Sequence, residues 1–69
     1  METLIKNAKK EIISSNEEFS YVADDLEIAA GIWHGYLTAQ QRLEIMKKHN
    51  ITKSVKDAYK AVAKIMNDN

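Results

Sequence analysis

The chain contains no cysteine and no proline, and its only glycines are Gly31 and Gly35. Without cysteine there is neither a disulfide nor a thiolate metal site, so a reducing, cytoplasmic setting is expected. Without proline, no helix is interrupted by a residue that lacks a backbone N–H. No apolar run approaches the roughly 20 residues needed to span a bilayer, and the N-terminus lacks the charged-then-apolar order of a signal peptide. We therefore expect no membrane contact.

The residues that are present are typical of helices, since alanine, leucine, lysine, glutamate, isoleucine and methionine are plentiful. A chain of 69 residues forms one domain, here residues 1–69. A domain of this size buries only about 60% of the surface that its unfolded chain exposes. Its stability is expected to be marginal, and self-association is one way to add buried area.

Charge is balanced in number but not in position. Residues 1–37 hold three lysines and seven acidic residues, a net charge of −4, whereas residues 38–69 hold seven basic and three acidic residues, a net charge of +4. Such asymmetry points to a charged partner or to contact between the two halves. Solvated helix faces that happen to differ explain it equally well.

Apolar spacing and capping residues predict an all-α fold, a small bundle of about four helices at residues 2–14, 16–34, 39–49 and 54–67. Ser15 with Glu18 forms a capping box before the second helix, and Thr38 with Gln41 forms one before the third. Asn50 suits the left-handed conformation that ends a helix. These local features set the predicted helix boundaries.

The second predicted helix carries apolar residues on two sides. At about 100° per residue, one stripe contains Phe19, Val22, Leu26, Ala29, Ala30, Trp33 and Leu37. The opposite stripe contains Tyr21, Ile28 and Ile32. Because a surface helix needs only one apolar stripe, this helix is predicted to be central, either fully buried by its own chain or forming a dimer seam. The seam is favoured, because so short a chain gains most from dimerisation.

Gly31 lies inside this helix, where it costs about 1 kcal/mol relative to alanine. Its position therefore raises the hypothesis that a neighbour approaches the backbone closely there.

Residues suited to catalysis are few. His34 and His49 fall at the ends of different predicted helices, where a histidine interacts favourably with the helix dipole. Neither has a cysteine or an i+4 histidine with which to build a metal site. No nucleophile, base and orienting residue are suitably spaced, and no glycine-rich phosphate loop is present. We expect no enzyme activity, no metal and no cofactor.

Lysines follow one face of the last predicted helix, which Thr52 or Ser54 caps. The lysines of this face, together with two at the end of the preceding helix, are Lys47, Lys48, Lys53, Lys56, Lys60 and Lys64. The segment from Leu43 to Val62 resembles a helix-turn-helix, a DNA-binding motif. Asn50 stands where that motif usually has glycine, and the interval from Ile51 to Val55 is one residue shorter. The resemblance implies phosphate contact by the lysines, with little direct reading of bases, because the last helix has no arginine, asparagine or glutamine before Asn67.

The leading hypothesis is a non-enzymatic helical module that acts through protein–protein contact, a regulatory protein that forms a homodimer and binds another protein. Its predicted interface is Tyr21, Ile28, Ile32 and Trp33. The acidic residues between Glu17 and Glu27 form a solvated face or a docking surface for a basic partner. The alternative hypothesis is a helix-turn-helix-like DNA-binding protein that uses the lysine-striped last helix.

Overall fold

The structure, a computed structural model, describes residues 1–68; Asn69, the last residue of the predicted domain, lies outside the described residues. The chain is all-α over this range. Its four helices are α1 (Glu2–Glu18), α2 (Asp25–Gly35), α3 (Ala39–Lys48) and α4 (Val55–Asn67). The predicted small bundle of about four helices is confirmed.

The predicted boundary between the first two helices is wrong. Ser15 is not a cap but an interior residue of α1, which continues to Glu18. The helix ends where Ser20 adopts a left-handed conformation with φ of 55°. The N–H groups of Ser20 and Tyr21 then donate to the carbonyls of Glu17 and Asn16, at 3.1 and 2.8 Å. This pair of hydrogen bonds satisfies carbonyls that the end of a helix would otherwise leave free.

The second helix is correspondingly shorter than the predicted 16–34. It begins after Asp24, whose side chain accepts a hydrogen bond of 2.8 Å from the N–H of Glu27. The negative charge of an aspartate at this position also interacts favourably with the positive end of the helix dipole. Phe19 and Val22, which the sequence pattern placed on the buried stripe, therefore lie in the loop between α1 and α2.

The boundaries of α3 are close to those predicted. Both hydrogen bonds of the capping box at Thr38 and Gln41 are present, at 3.2 and 2.8 Å. At the other end Asn50 is left-handed, with φ of 54°, and the N–H of Ile51 donates to the carbonyl of Met46 at 2.8 Å. This geometry turns the chain towards α4, which Ser54 caps as predicted.

The central position of the second helix is confirmed, and its own chain buries it. The core consists of apolar side chains from all four helices and the α2–α3 link: Ile5, Ala8, Ile28, Ala29, Ile32, Trp33, Leu37, Ile45, Ala58, Ala61, Val62 and Met66. Ala29 and Trp33 of one predicted stripe and Ile28 and Ile32 of the other belong to this core, whereas Leu26 of the first stripe is exposed. Burial within one chain therefore accounts for most of the double stripe.

The helices α2 and α4 run antiparallel. Near the start of α2, the side chain of Asp25 accepts a hydrogen bond of 3.0 Å from the Asn67 amide at the end of α4. Near the end of α2, the ring of His34 lies 2.6 Å from the hydroxyl of Tyr59, measured from Nε2 to the oxygen. The α1–α2 loop and the α3–α4 turn consequently lie at opposite ends of α2.

Candidate protein interaction site

Three of the four residues of the predicted interface are buried within the chain. Ile28, Ile32 and Trp33 expose only 6%, 0% and 7% of their surface. The chain itself covers these side chains, which leaves little of their surface for a second molecule. Tyr21 is exposed, but it belongs to the loop and not to α2.

The most exposed apolar side chains of the loop are Phe19 and Val22, at 79% and 93% exposure. They are exposed because the left-handed turn at Ser20 ends α1 before the chain can carry them onto the core. Tyr21, between them, is half exposed. Three exposed large apolar or aromatic side chains thus occur within four consecutive residues, and exposed apolar surface of this kind often marks an interaction site.

Acidic side chains surround this patch. We name residues 17–27 the acidic tip; its exposed carboxylates are Glu17, Glu18, Asp24, Asp25 and Glu27. No lysine or arginine occurs between Lys10 and Arg42. The negative charge of the tip is therefore not neutralised by a basic residue of the same segment, and a basic partner surface is favoured.

Tyr21 is held against α2 by a hydrogen bond of 2.5 Å from its hydroxyl to the carboxylate of Glu27. This bond and the negative charge of Glu27 raise the pKa of the Tyr21 hydroxyl above its ordinary value of 10.0. The phenol stays protonated and donates, since the carboxylate has no proton to give. The hydrogen bond ties the middle of the loop to the first turn of α2.

The predicted basic residues lie on α3, on α4 and in the turn between them. All six predicted phosphate contacts, Lys47, Lys48, Lys53, Lys56, Lys60 and Lys64, are exposed. Within residues 1–68 the one ion pair joins Lys6 to Glu2, at 3.0 Å. None of the six lysines is therefore paired with a carboxylate of the described chain. Lys56, Lys60 and Lys64 lie at i, i+4 and i+8 on one face of α4.

An apolar groove lies beside the first of these lysines. We name it the turn groove; it has a volume of about 410 Å³ and is lined by Leu43, Met46, Lys47, Asn50, Ile51 and Thr52. A smaller recess of about 110 Å³ shares three of these residues and extends to Trp33, Lys53 and Val55. The groove exists because Asn50 turns the chain back, which leaves Leu43 and Val55 with more than half of their surface exposed.

A third recess, of about 310 Å³, lies where Glu2, Glu44, Lys48, His49 and Lys64 meet. Its lining contains both signs of charge. The Nε2 atom of His49 is buried and has no hydrogen-bond partner among the described residues. This mixed lining favours no single charge of ligand.

The sequence pattern did not predict that the acidic tip contains an exposed loop, because it placed these residues in the second helix. The signal that could have found it is the pair Asp24 and Glu27, which has the same three-residue spacing as the Ser15 and Glu18 pair.

Two further findings concern residues 1–68 alone: no group of three or more histidine and acidic side chains could hold a metal ion, and no helix is long and apolar enough to cross a membrane.

Comparison with known proteins returned no match among family models, curated proteins or solved structures, so the function has to be argued from the residues of this chain alone.

Proposed function

We propose that the protein is a non-enzymatic protein-interaction module whose binding element is the acidic tip. The observation that carries this proposal is the exposure of Phe19 and Val22, at 79% and 93%, on one short loop. The partner that fits has an apolar recess bordered by lysine or arginine. This replaces the predicted interface on α2 with a surface that the folded chain leaves free.

The tip has the physical properties of a small binding site. Covering an exposed aromatic or aliphatic side chain contributes about 1.5–3 kcal/mol, and one or two such anchors dominate many interfaces. The carboxylates around Phe19 would act mainly on association rate and partner choice, because exposed charges add little to affinity in water. The hydrogen bond between Tyr21 and Glu27 reduces the mobility of the loop, which lowers the entropy lost on binding.

The experiment compares partner capture by three immobilised proteins: the natural chain, a tip variant and a matched control. The tip variant carries Phe19→Ser and Val22→Ser; the control carries Leu43→Ser and Val55→Ser, which removes two less exposed apolar side chains near the α3–α4 turn. We expect proteins other than the chain itself, captured from an extract of the source cells, to be lost with the tip variant and kept with the control. Capture that does not depend on the tip would overturn the proposal.

Circular dichroism and thermal unfolding of each variant confirm that any loss does not come from unfolding. Neither Phe19 nor Val22 belongs to the core, so the fold should survive their replacement.

A second candidate function is DNA binding through α4, as the helix-turn-helix resemblance implies. The observation in its favour is the face of unpaired lysines at Lys56, Lys60 and Lys64. Phosphate contact predicts an affinity for duplex DNA that falls steeply between about 50 and 200 mM salt. Changing these three lysines to glutamine should lower the slope of log affinity against log salt by about three, while Lys10→Gln on α1 should change it little. No binding at the lower salt would rule this function out.

A further inference from the structure

We infer that the acidic tip of one copy docks in the turn groove of a second copy, so that the chain associates head to tail. The inference rests on the proposed function, because it uses the same binding element and names its partner. It differs from the predicted dimer seam, which required side chains of α2 that the fold buries.

The tip and the groove cannot meet within one molecule. The tip adjoins the start of α2 at Asp25, while the recess that extends the groove includes Trp33, near the end of α2. Asp25 and Trp33 are eight residues apart along this helix, which separates the two sites by about 12 Å. Because α2 is held rigidly between α1 and α4, a contact between tip and groove has to join two molecules.

The two sites are complementary in charge. Lys47 and Lys53 border the groove and its recess, and Lys56 lies one turn into α4. These lysines have no carboxylate partner in the described part of their own chain. The tip supplies five exposed carboxylates, of which Glu17 and Asp25 share a recess with Lys9. Bringing the two ends together pairs charges that each molecule alone leaves exposed.

The two sites are also complementary in apolar surface. The groove and its recess present Leu43, Ile51 and Val55, and the tip presents Phe19 and Val22. The groove is shallow and open to solvent, so a phenylalanine side chain can lie across its apolar lining. An apolar centre bordered by charged residues is the usual arrangement of a protein interface.

A head-to-tail contact uses two different surfaces, so each added copy still offers a free tip and a free groove. Such a contact produces open chains or closed rings and not only a symmetric dimer. Because one loop in one groove is a small interface, the expected dissociation constant is about micromolar or weaker. Association should therefore depend strongly on protein concentration and weaken with salt.

Sedimentation velocity of the tip and groove variants tests this geometry. The tip variant is Phe19→Ser with Val22→Ser, and the groove variant is Leu43→Ser with Val55→Ser. We expect the natural chain to form dimers and larger species as its concentration rises, and each variant alone to associate at least about tenfold more weakly. An equal mixture of the two variants should form a heterodimer, which keeps one intact tip and one intact groove, and no larger species.

A natural chain that stays monomeric at millimolar concentration would overturn the inference, as would a mixture that fails to associate although both variants are folded. A symmetric contact through either surface would also be distinguished, because one variant would then associate like the natural chain. The proposed function fails separately: it is abandoned if partner capture is independent of the tip, whatever the oligomeric state. If capture depends on the tip but no self-association occurs, the partner is another basic protein and only the inference fails.

Discussion

Replacing Gly31 with alanine tests how closely α1 approaches the backbone of α2. Glycine inside a helix raised the hypothesis of a close neighbour at that position. In the folded chain a Cβ added at Gly31 would lie 3.6 Å from Cδ1 of Ile12, an ordinary van der Waals distance. No glycine among the described residues has a positive φ. The backbone of α2 therefore accepts alanine at this position without strain.

The expected effect of Gly31→Ala is a gain in stability. Alanine is favoured over glycine in a helix interior by about 1 kcal/mol, chiefly because it restricts the unfolded chain. The new methyl group also contacts Ile12, which adds a little apolar packing. For a domain of this size, an increase of about 1 kcal/mol in the free energy of unfolding raises the Tm by about 4–8 °C.

Thermal unfolding and urea titration at one protein concentration measure this gain. Gly35→Ala is the matched control, since nothing lies within 4 Å of a Cβ added there and Gly35 is the last residue of α2. Its gain should be about half as large, because a terminal residue contributes less to the helix. A loss of stability for Gly31→Ala would refute the reasoning, since it would mean that α1 approaches the backbone of α2 more closely than the structure shows.

Three other predictions concern the core, the α2–α3 link and the tip. Ile32→Ala removes a side chain with no exposed surface; it should lower the free energy of unfolding by about 2–5 kcal/mol, which urea titration would show as a large loss or as absence of a folded state. Arg42→Met should cost about 1–3 kcal/mol by the same measurement, because the Arg42 Nε donates to the carbonyl of Trp33 at 2.9 Å and satisfies the end of α2. Ultraviolet titration should find the pKa of Tyr21 above 10.0 and nearer that value in Glu27→Gln. Because folding raises this pKa, the hydrogen bond stabilises the native state below the unfolded pKa, and its contribution is lost as pH rises through the folded pKa.

The part of the fold that could be predicted is the part that local chemistry decides. Thr38, Asn50 and Ser54 each act on backbone groups within three or four residues, so their caps can be identified without knowing what packs nearby. All three helix ends lie within a residue or two of their predicted positions. The apolar face of α4 is likewise a local periodicity, and its central residues are buried as expected.

The boundary between α1 and α2 could not be decided in this way. Two capping pairs compete, one at Ser15 and one at Asp24, and both have suitable spacing. The structure uses the second, and Ser15 lies inside α1, which continues to Glu18. The turn that follows places Ser20 in a left-handed conformation that residues other than glycine seldom adopt, so the sequence offers no clear signal for it.

That one boundary changes what the candidate site is. If the second helix began near Ser15, Phe19 and Val22 would belong to its apolar stripe. Because α2 begins at Asp25, these two residues are instead the most exposed apolar residues of the α1–α2 loop. The spacing of apolar residues could not decide between these two helix boundaries. That spacing indicates that an apolar stripe has to be covered, but it does not indicate which molecule covers it. The charge asymmetry does not depend on the boundary, since it is a property of the two halves of the sequence. The fold places the α1–α2 loop and the α3–α4 turn at opposite ends of α2, which gives the exposed residues a direction: the acidic loop favours a basic partner, and a second copy of the chain presents lysines at its α3–α4 turn.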